Sequence, residues 1–175
     1  MDHPATQEWK RQRLADAQIA LPPALVFVPV DFERDDLGEK LAGAGLQQNA
    51  AAFFSWLGVV PYLTEEAIGR TLDYVASVRN SEIRNSEVVF DYMESAQAFS
   101  EELRELEKQR AEQLKKMGER SVSRFDPSSM EAMLRARGFR EIEDISFQQI
   151  AARFGDAVRG LAPGNLGTRV VHARQ

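Results

Sequence analysis

The stretch Leu25–Phe32, Leu-Val-Phe-Val-Pro-Val-Asp-Phe, decides the fold that we predict for the chain. A run of apolar, β-branched and aromatic residues is typical of a strand buried on both faces of a parallel sheet. Pro29 lacks an amide donor and fits best near a sheet edge. Asp31 places a carboxylate where the strand ends, at the rim where open α/β sheets bind ligands. The alternative is that Asp31 only turns or caps the chain.

Strands and helices alternate on both sides of this stretch. Pro4 is well placed to begin a helix that extends to about Gln18, and a short helix is predicted from Leu37 to Gly45. A second strand is predicted over Ala51–Val60, followed by a helix that Thr64 caps. Polar residues then predict a loop over Asn80–Asn85, and a third strand over Glu87–Tyr92. This alternation is typical of a parallel α/β sheet with helices on both faces.

The second half of the chain has different signals. Residues 95–118 are rich in charged residues with apolar ones at helical spacing, which predicts a long amphipathic helix that acts as a lid or cap. We expect three parts: a core over 1–94, a helical insert over 95–124 and C-terminal elements over 125–175. The elements predicted in the last part are a helix from Asp126–Pro127 to Gly138, an edge strand Phe139–Ile145, a helix from the Ser146–Gln149 capping box to Gly160, and a strand Thr168–Arg174.

Composition excludes several classes of function. The 175 residues carry a net charge of −5, contain no cysteine, and include only His3 and His172 as histidines. Disulfides, thiolate chemistry and histidine-rich metal sites are therefore excluded. The acidic balance gives no reason to expect nucleic acid as a partner, and no apolar run is long enough to suggest a membrane span. The polar N-terminus does not resemble a signal peptide, so we expect a cytoplasmic protein.

Four segments carry a resemblance to a known family. They are Asp2-His3-Pro4-Ala5-Thr6, Val30-Asp31-Phe32, Trp56-Leu57-Gly58-Val59-Val60-Pro61-Tyr62-Leu63-Thr64 and Val88-Val89-Phe90-Asp91-Tyr92. In this order they resemble the leucine carboxyl methyltransferase family, in particular its bacterial branch of S-adenosylmethionine-dependent methyltransferases. The resemblance implies a Rossmann-like class I methyltransferase sheet with an antiparallel C-terminal strand. It also implies methyl transfer from S-adenosyl-L-methionine to an oxygen atom or a carboxyl group of the substrate. The substrate would be a small molecule or a molecule that carries a carboxylate.

The resemblance implies roles for three cofactor-binding residues. Asp2 matches the acid that holds both ribose hydroxyls of the cofactor, as a carboxylate can. Asp31 matches the acid that accepts from the adenine amine, and the backbone N–H of Phe32 would serve a ring nitrogen. Taken without the motif, Asp2 reads equally well as the N-cap of the first helix.

The substrate side is less well defined, and the catalytic residues stay unknown. Trp56 and Tyr62 are candidates for lining it, although packing in the core or at its rim explains both residues as well. Arg153 matches a family arginine that could hold a carboxylate. The neighbouring Phe154 departs from the family, in which a tyrosine is common.

The chain also departs from the family on a larger scale. About half of the family's domain lies upstream of its Asp-His-Pro motif, including a first strand and a glycine-rich cofactor loop, and neither is recognisable in this sequence. We therefore expect a truncated form whose exposed sheet edge favours self-association. The alternative is a non-catalytic Rossmann-like remnant that acts as a binding or oligomerising module. A nicotinamide-dependent oxidoreductase is a further alternative, which the Trp56–Thr64 segment argues against.

Overall fold

The computed structural model describes residues 1–47, 49–80, 84–95, 122–155 and 167–175, with isolated positions between 101 and 112. The helices in these ranges are α1 (Pro4–Asp16), α2 (Leu37–Gly43), α3 (Glu65–Ser77), α4 (Pro127–Ala136) and α5 (Phe147–Phe154), with a 3-10 turn at Val60–Tyr62. The strands are β1 (Phe53–Trp56), β2 (Arg79–Asn80), β3 (Arg84–Asn85), β4 (Glu87–Met93), β5 (Glu141–Ser146) and β6 (Thr168–Arg174).

Four of these strands form one sheet in the order β1-β4-β6-β5. β1 runs parallel to β4, which is the relation that the intervening helix α3 predicts. β6 lies antiparallel to both β4 and β5, so the predicted antiparallel C-terminal strand is confirmed. β5 pairs with β6 and forms one edge of the sheet, as its mixed and charged sequence predicts. The predicted loop over Asn80–Asn85 is corrected, because β2 and β3 pair there as a short antiparallel ladder.

One face of the sheet is covered by α3 and α4. The side chains on this face alternate along each strand with outward-facing residues, as pleated strands require. Its fully buried members include Val88, Phe90 and Tyr92 of β4, and Val171 and Ala173 of β6. The two helices are joined by Arg137, whose Nε donates to the Gly69 carbonyl at 3.2 Å and lies 2.9 Å from Asp73. The buried apolar residues of these two helices form one hydrophobic cluster with those of β1, β4 and β6.

The predicted strand over Leu25–Phe32 is corrected by the structure. Val28, Val30 and Phe32 are buried, but Leu25 and Val26 are 46% and 56% exposed. The segment makes a single parallel bridge, between Pro29 and Asp2, in which the Val30 N–H donates to the Asp2 carbonyl at 2.8 Å. Within the described residues no other strand pairs with the segment. One of its faces is therefore buried, and not two.

The bounds of the remaining helices and strands agree with the local sequence signals, except at the strand predicted over Ala51–Val60. The strand predicted over Ala51–Val60 shortens to β1, and Phe53 is 64% exposed rather than buried. Gly58 turns the chain after β1 with φ +71°, and its N–H donates to Asp91 Oδ1 at 2.6 Å. The Ser146–Gln149 capping box is confirmed. Most of the predicted helix over 95–118 and the end of the one predicted to Gly160 lie outside the described residues. No helix in the described part of the chain is long and apolar enough to cross a membrane.

A buried polar cluster joins the central strands where β4 ends. The Tyr92 hydroxyl donates to Asp144 Oδ2 at 2.7 Å, and Arg169 Nε donates to Asp144 Oδ1 at 2.8 Å. Arg169 Nη1 also lies 3.6 Å from Glu94 Oε2, and about a sixth of each of these charged side chains is exposed. Burial, followed by the hydrogen bond to Asp144, raises the pKa of the Tyr92 phenol well above its usual value. The cluster therefore links β4, β5 and β6 through paired charges in a largely dry setting.

Candidate functional site

Asp2 and Asp31 lie at the ends of two segments that are bridged to each other. Asp2 pairs with Pro29 in parallel register, and Asp31 follows Pro29 by two positions. About a quarter of each carboxylate side chain is exposed, 26% for Asp2 and 27% for Asp31. The structure thus brings the two predicted cofactor acids to one rim, and leaves both accessible from outside.

The Asp31 carboxylate has one oxygen engaged and one available. Its Oδ1 accepts from the Glu33 N–H at 3.0 Å, which closes a tight Asx-type turn. Asp35 Oδ2 accepts from the Asp31 N–H at 2.8 Å, and this bond lowers the pKa of Asp35. Asp31 Oδ2 has Arg34 Nε as its neighbour at 3.9 Å, beyond hydrogen-bond distance. The turn therefore fixes the carboxylate while leaving Oδ2 free to accept from a ligand.

Phe32 supplies a backbone donor next to that acceptor. No hydrogen bond within the described residues uses the Phe32 N–H, although the side chain is buried. Its ring packs on Trp56 with a centroid distance of 5.6 Å, and Trp56 packs on Phe90 at 6.2 Å. Adjacent residues thus offer a carboxylate oxygen and an N–H that make no hydrogen bond in the described residues, on a loop supported by a cluster of tilted aromatic rings. That pair is complementary to a heterocycle bearing an amine beside a ring nitrogen.

The Asp2 carboxylate is not used as a helix cap. The N-cap of α1 is His3, whose Nδ1 accepts from the Ala5 N–H at 3.4 Å. Asp2 Oδ1 accepts from the His3 N–H at 2.9 Å, and Lys10 Nζ lies 3.7 Å from Asp2 Oδ2. The capping interpretation of Asp2 is therefore wrong. Since Lys10 Nζ is beyond hydrogen-bond distance of Asp2 Oδ2, this oxygen is suited to accept from hydroxyl groups of a ligand.

Side-chain hydrogen bonds of Glu33 and Arg70 tie the Asp31 loop to α3. Glu33 accepts two hydrogen bonds from Thr64, and Arg70 donates to the carbonyls of Phe32 and Glu33. Sequence reasoning missed this role of Glu33, because the residue lies in the charged run Glu33–Asp36, a pattern that is typical of solvent-exposed acids. Its partners are separated from it by more than thirty positions, so no local spacing reveals them.

The three substrate-side candidates are placed differently. Trp56 is only 4% exposed, and its indole Nε1 has no hydrogen-bond partner in the described part of the chain. Tyr62 is 44% exposed in the 3-10 turn after β1. Arg153 lies on α5 and pairs with Glu143 of β5 at 2.8 Å, with both side chains more than half exposed. The described contacts therefore connect Trp56 with Phe32 but do not connect Arg153 with either acid.

Metal ligation has no support among these groups. In the ranges that the structure describes, no group of three or more histidine, aspartate or glutamate side chains is arranged to hold a metal ion. The candidate site consists instead of carboxylates, a backbone donor and aromatic rings, which are the groups suited to hold a nucleoside.

Comparison with known proteins finds similarity to methyltransferases. The leucine carboxyl methyltransferase family model matches residues 1–76, a range that contains Asp2, Asp31 and the Trp56–Thr64 segment. YktD of Bacillus subtilis, provisionally named an S-adenosyl-L-methionine-dependent methyltransferase, is 31% identical over 150 residues. The match covers 83% of this chain and 47% of YktD, so the chain spans about half the length of that curated relative.

Solved structures share the fold at low sequence identity. A DUF574 family protein from Streptomyces avermitilis matches with TM-score 0.60 and 14% identity, covering 99% of this chain and 63% of that one. Human N-acetylserotonin methyltransferase, solved in complex with S-adenosylmethionine, matches with TM-score 0.54 and 13% identity, covering 99% of this chain and 39% of that one. The predicted class I methyltransferase fold is confirmed by these matches. The predicted resemblance is thus confirmed over residues 1–76, which match the leucine carboxyl methyltransferase family model.

Proposed function

We propose that this chain binds S-adenosyl-L-methionine through Asp2, Asp31 and Phe32, as part of a methyltransferase that acts on an oxygen or carboxylate acceptor. The observation that carries the proposal lies on the Asp31 loop, at the same rim as the Asp2 carboxylate: in the described residues neither Asp31 Oδ2, whose Arg34 neighbour is 3.9 Å away, nor the adjacent Phe32 N–H makes a hydrogen bond. The match of residues 1–76 to the family model and the similarity to YktD support the same assignment.

Each group has a defined task in this proposal. Asp31 Oδ2 accepts from the adenine amine, the Phe32 N–H donates to the adjacent ring nitrogen, and Asp2 accepts from the two ribose hydroxyls. The packed rings of Phe32, Trp56 and Phe90 exclude water from the core side of the Asp31 loop. When bound, the cofactor supplies an electrophilic methyl group on a sulfonium ion. The chain contributes positioning, which is the main requirement when the nucleophile is already a carboxylate.

The acceptor side of the site rests on fewer contacts. Tyr62 is our proposed contact to the methyl acceptor, because it is exposed and lies in the 3-10 turn that follows β1, the strand that ends at Trp56. Trp56 supports the Asp31 loop from the core, since its side chain is buried between the rings of Phe32 and Phe90. Arg153 is proposed only as a carboxylate-binding group at the far side of the sheet, where it now pairs with Glu143.

Calorimetric titration tests the proposed function. We expect S-adenosylmethionine and S-adenosylhomocysteine to bind with saturable heat at one site per chain, because the groups that hold the nucleoside all lie within the chain. NAD⁺ should give no comparable heat. Binding of NAD⁺ in preference to S-adenosylmethionine would support the oxidoreductase alternative, and the absence of heat with every one of these ligands would contradict the proposal.

A non-catalytic module is the second candidate, and the edge of β1 favours it. The Ala52 carbonyl accepts from the Glu87 N–H at 3.0 Å, so Ala52 and Phe54 direct their backbone groups toward β4. Phe53 and Ser55 direct theirs the other way, since alternate residues of a strand face opposite neighbours. In the described residues no strand pairs with that edge, which suits a further strand supplied by a longer polypeptide or by a second copy. This candidate predicts no heat in the titration with S-adenosylmethionine.

A further inference from the structure

Glu33 ties the Asp31 loop to the first turn of α3. Its Oε1 accepts from the Thr64 N–H at 2.7 Å, and its Oε2 accepts from the Thr64 hydroxyl at 2.9 Å. Thr64 is the N-cap of α3, where its Oγ1 also accepts from the Ala67 N–H at 3.3 Å. A carboxylate at this position is favoured by the positive end of the helix dipole. The bidentate contact therefore anchors the residue next to Phe32 to a rigid element.

Arg70 provides a second tie from the same helix. Its Nη2 donates to the Glu33 carbonyl at 3.0 Å and to the Phe32 carbonyl at 3.3 Å. Its Nη1 donates to Glu66 Oε1 at 2.9 Å, which holds the guanidinium against the helix. The planar fork of arginine suits such simultaneous contacts, and a lysine could not reproduce them.

The loop needs these ties because the extended segment before it has few hydrogen bonds to the rest of the molecule. In the described residues that segment makes one bridge, to Asp2, and its Val28 carbonyl accepts from Gln7 Nε2 at 2.9 Å, while the remaining bonds of the loop are local turns within residues 31–35. Thus Glu33 and Arg70 supply the long-range hydrogen bonds that orient the peptide groups on both sides of Phe32 relative to the sheet.

We propose that Glu33 and Arg70 are positioning residues that set the specificity of the site for a 6-aminopurine over a 6-oxopurine. The proposal rests on the proposed function, because it assumes that Asp31 Oδ2 and the Phe32 N–H address the base. A 6-aminopurine presents a donor beside an acceptor, whereas a 6-oxopurine presents an acceptor beside an N–H donor. A rigid acceptor–donor pair rejects the second pattern, and a mobile pair rejects it less, because it can turn away from the mismatch.

The test compares the affinities of two ligands that differ only in the base, S-adenosylhomocysteine and S-inosylhomocysteine. We expect the wild-type chain to prefer the adenine ligand by about a hundredfold, since unpaired polar groups in a built site are costly. Glu33→Ala and Arg70→Met should reduce this preference to about tenfold or less. Glu33→Gln should recover most of it, because one side-chain oxygen can still accept from Thr64. Glu65→Gln is the matched control, since Glu65 is also an acid in the first turn of α3 but makes no hydrogen bond or ion pair with the Asp31 loop in the described part of the chain, and should leave the preference unchanged.

Thermal unfolding shows whether each variant is folded at the temperature of the titration. Equal losses of affinity for both ligands, or an unchanged preference in the folded variants, would overturn the specificity role. If the wild-type chain bound neither ligand, the proposed function would fail and the specificity claim with it. Amide hydrogen exchange then tests the tie itself: exchange at Arg34 and Asp35 should quicken in Glu33→Ala and Arg70→Met but not in Glu65→Gln. Unchanged exchange would overturn the tie.

Discussion

Replacing Asp31 with asparagine should weaken the binding of S-adenosylhomocysteine by about tenfold to a hundredfold. Asparagine keeps an oxygen that can accept from the Glu33 N–H, which now donates to Oδ1 at 3.0 Å, so the turn should persist. The amide nitrogen then takes the position of Oδ2 and points a donor at the amine donor of the base. Losing one hydrogen bond and leaving donors unpaired costs about 1–3 kcal/mol, which corresponds to that range of affinity. Calorimetry measures the change.

Asp36→Asn is the control for Asp31→Asn. Asp36 lies in the same charged run but caps α2, accepting from the Glu39 N–H at 2.8 Å. Asparagine is an equally good N-cap, so the affinity and the stability of this variant should match those of the wild type. Tight binding by Asp31→Asn, or an equal loss in Asp36→Asn, would show that the Asp31 carboxylate does not address the base.

Replacing Arg169 with methionine should lower the free energy of unfolding by about 3–5 kcal/mol, because it leaves carboxylates in a low-dielectric setting without their cation. Arg169 bonds to Asp144 at 2.8 Å and lies 3.6 Å from Glu94, and the three side chains are 16%, 16% and 18% exposed. Methionine keeps the length of the side chain, so the loss of packing is small. Urea unfolding followed by circular dichroism measures the effect.

Arg174→Met is the matched control on the same strand. Arg174 also pairs with a carboxylate, Glu141, but these side chains are 48% and 64% exposed. Exposed ion pairs contribute about 0–1 kcal/mol, so this variant should unfold close to the wild type. Similar losses in both variants would mean that the burial of the Arg169 cluster does not determine its contribution.

Much of the fold was predictable because its signals are local. Pro4 begins α1, Thr64 caps α3, Pro127 begins α4, and the Ser146–Gln149 box caps α5. Each signal depends on residues within one helical turn, where the sequence and the hydrogen bonds coincide. The C-terminal strand was predicted with the bounds of β6, since turn residues precede it and the chain ends after it.

The errors arose where burial depends on distant neighbours. The apolar run Leu25–Phe32 has the composition of a central strand, yet whether it forms one depends on a second partner strand beside it. With Asp2 as its one described bridge, the segment stays extended and exposes Leu25 and Val26. The same reason applies to Phe53, which is apolar in sequence but exposed on the sheet.

The site was predictable only in part. The family motif indicated Asp2, Asp31 and Phe32, whereas local pattern alone explained Asp2 equally well as a helix cap, a role that His3 performs. Glu33 and Arg70 could not be predicted, because their partners are more than thirty residues away in sequence. Hydrogen bonds of this kind depend on how α3 packs, which no short spacing encodes.

Amide NMR tests the central claim most directly, because it observes the Phe32 N–H itself. In ¹⁵N-labelled protein titrated with S-adenosylhomocysteine, the Phe32 amide resonance should move downfield as the N–H donates to the purine ring, and its shift should saturate with those of Asp2 and His3. A titration in which ligand binds while the Phe32 amide resonance stays in place would contradict the account, as would one in which the shifts of Phe32 and of Asp2 saturate at different ligand concentrations.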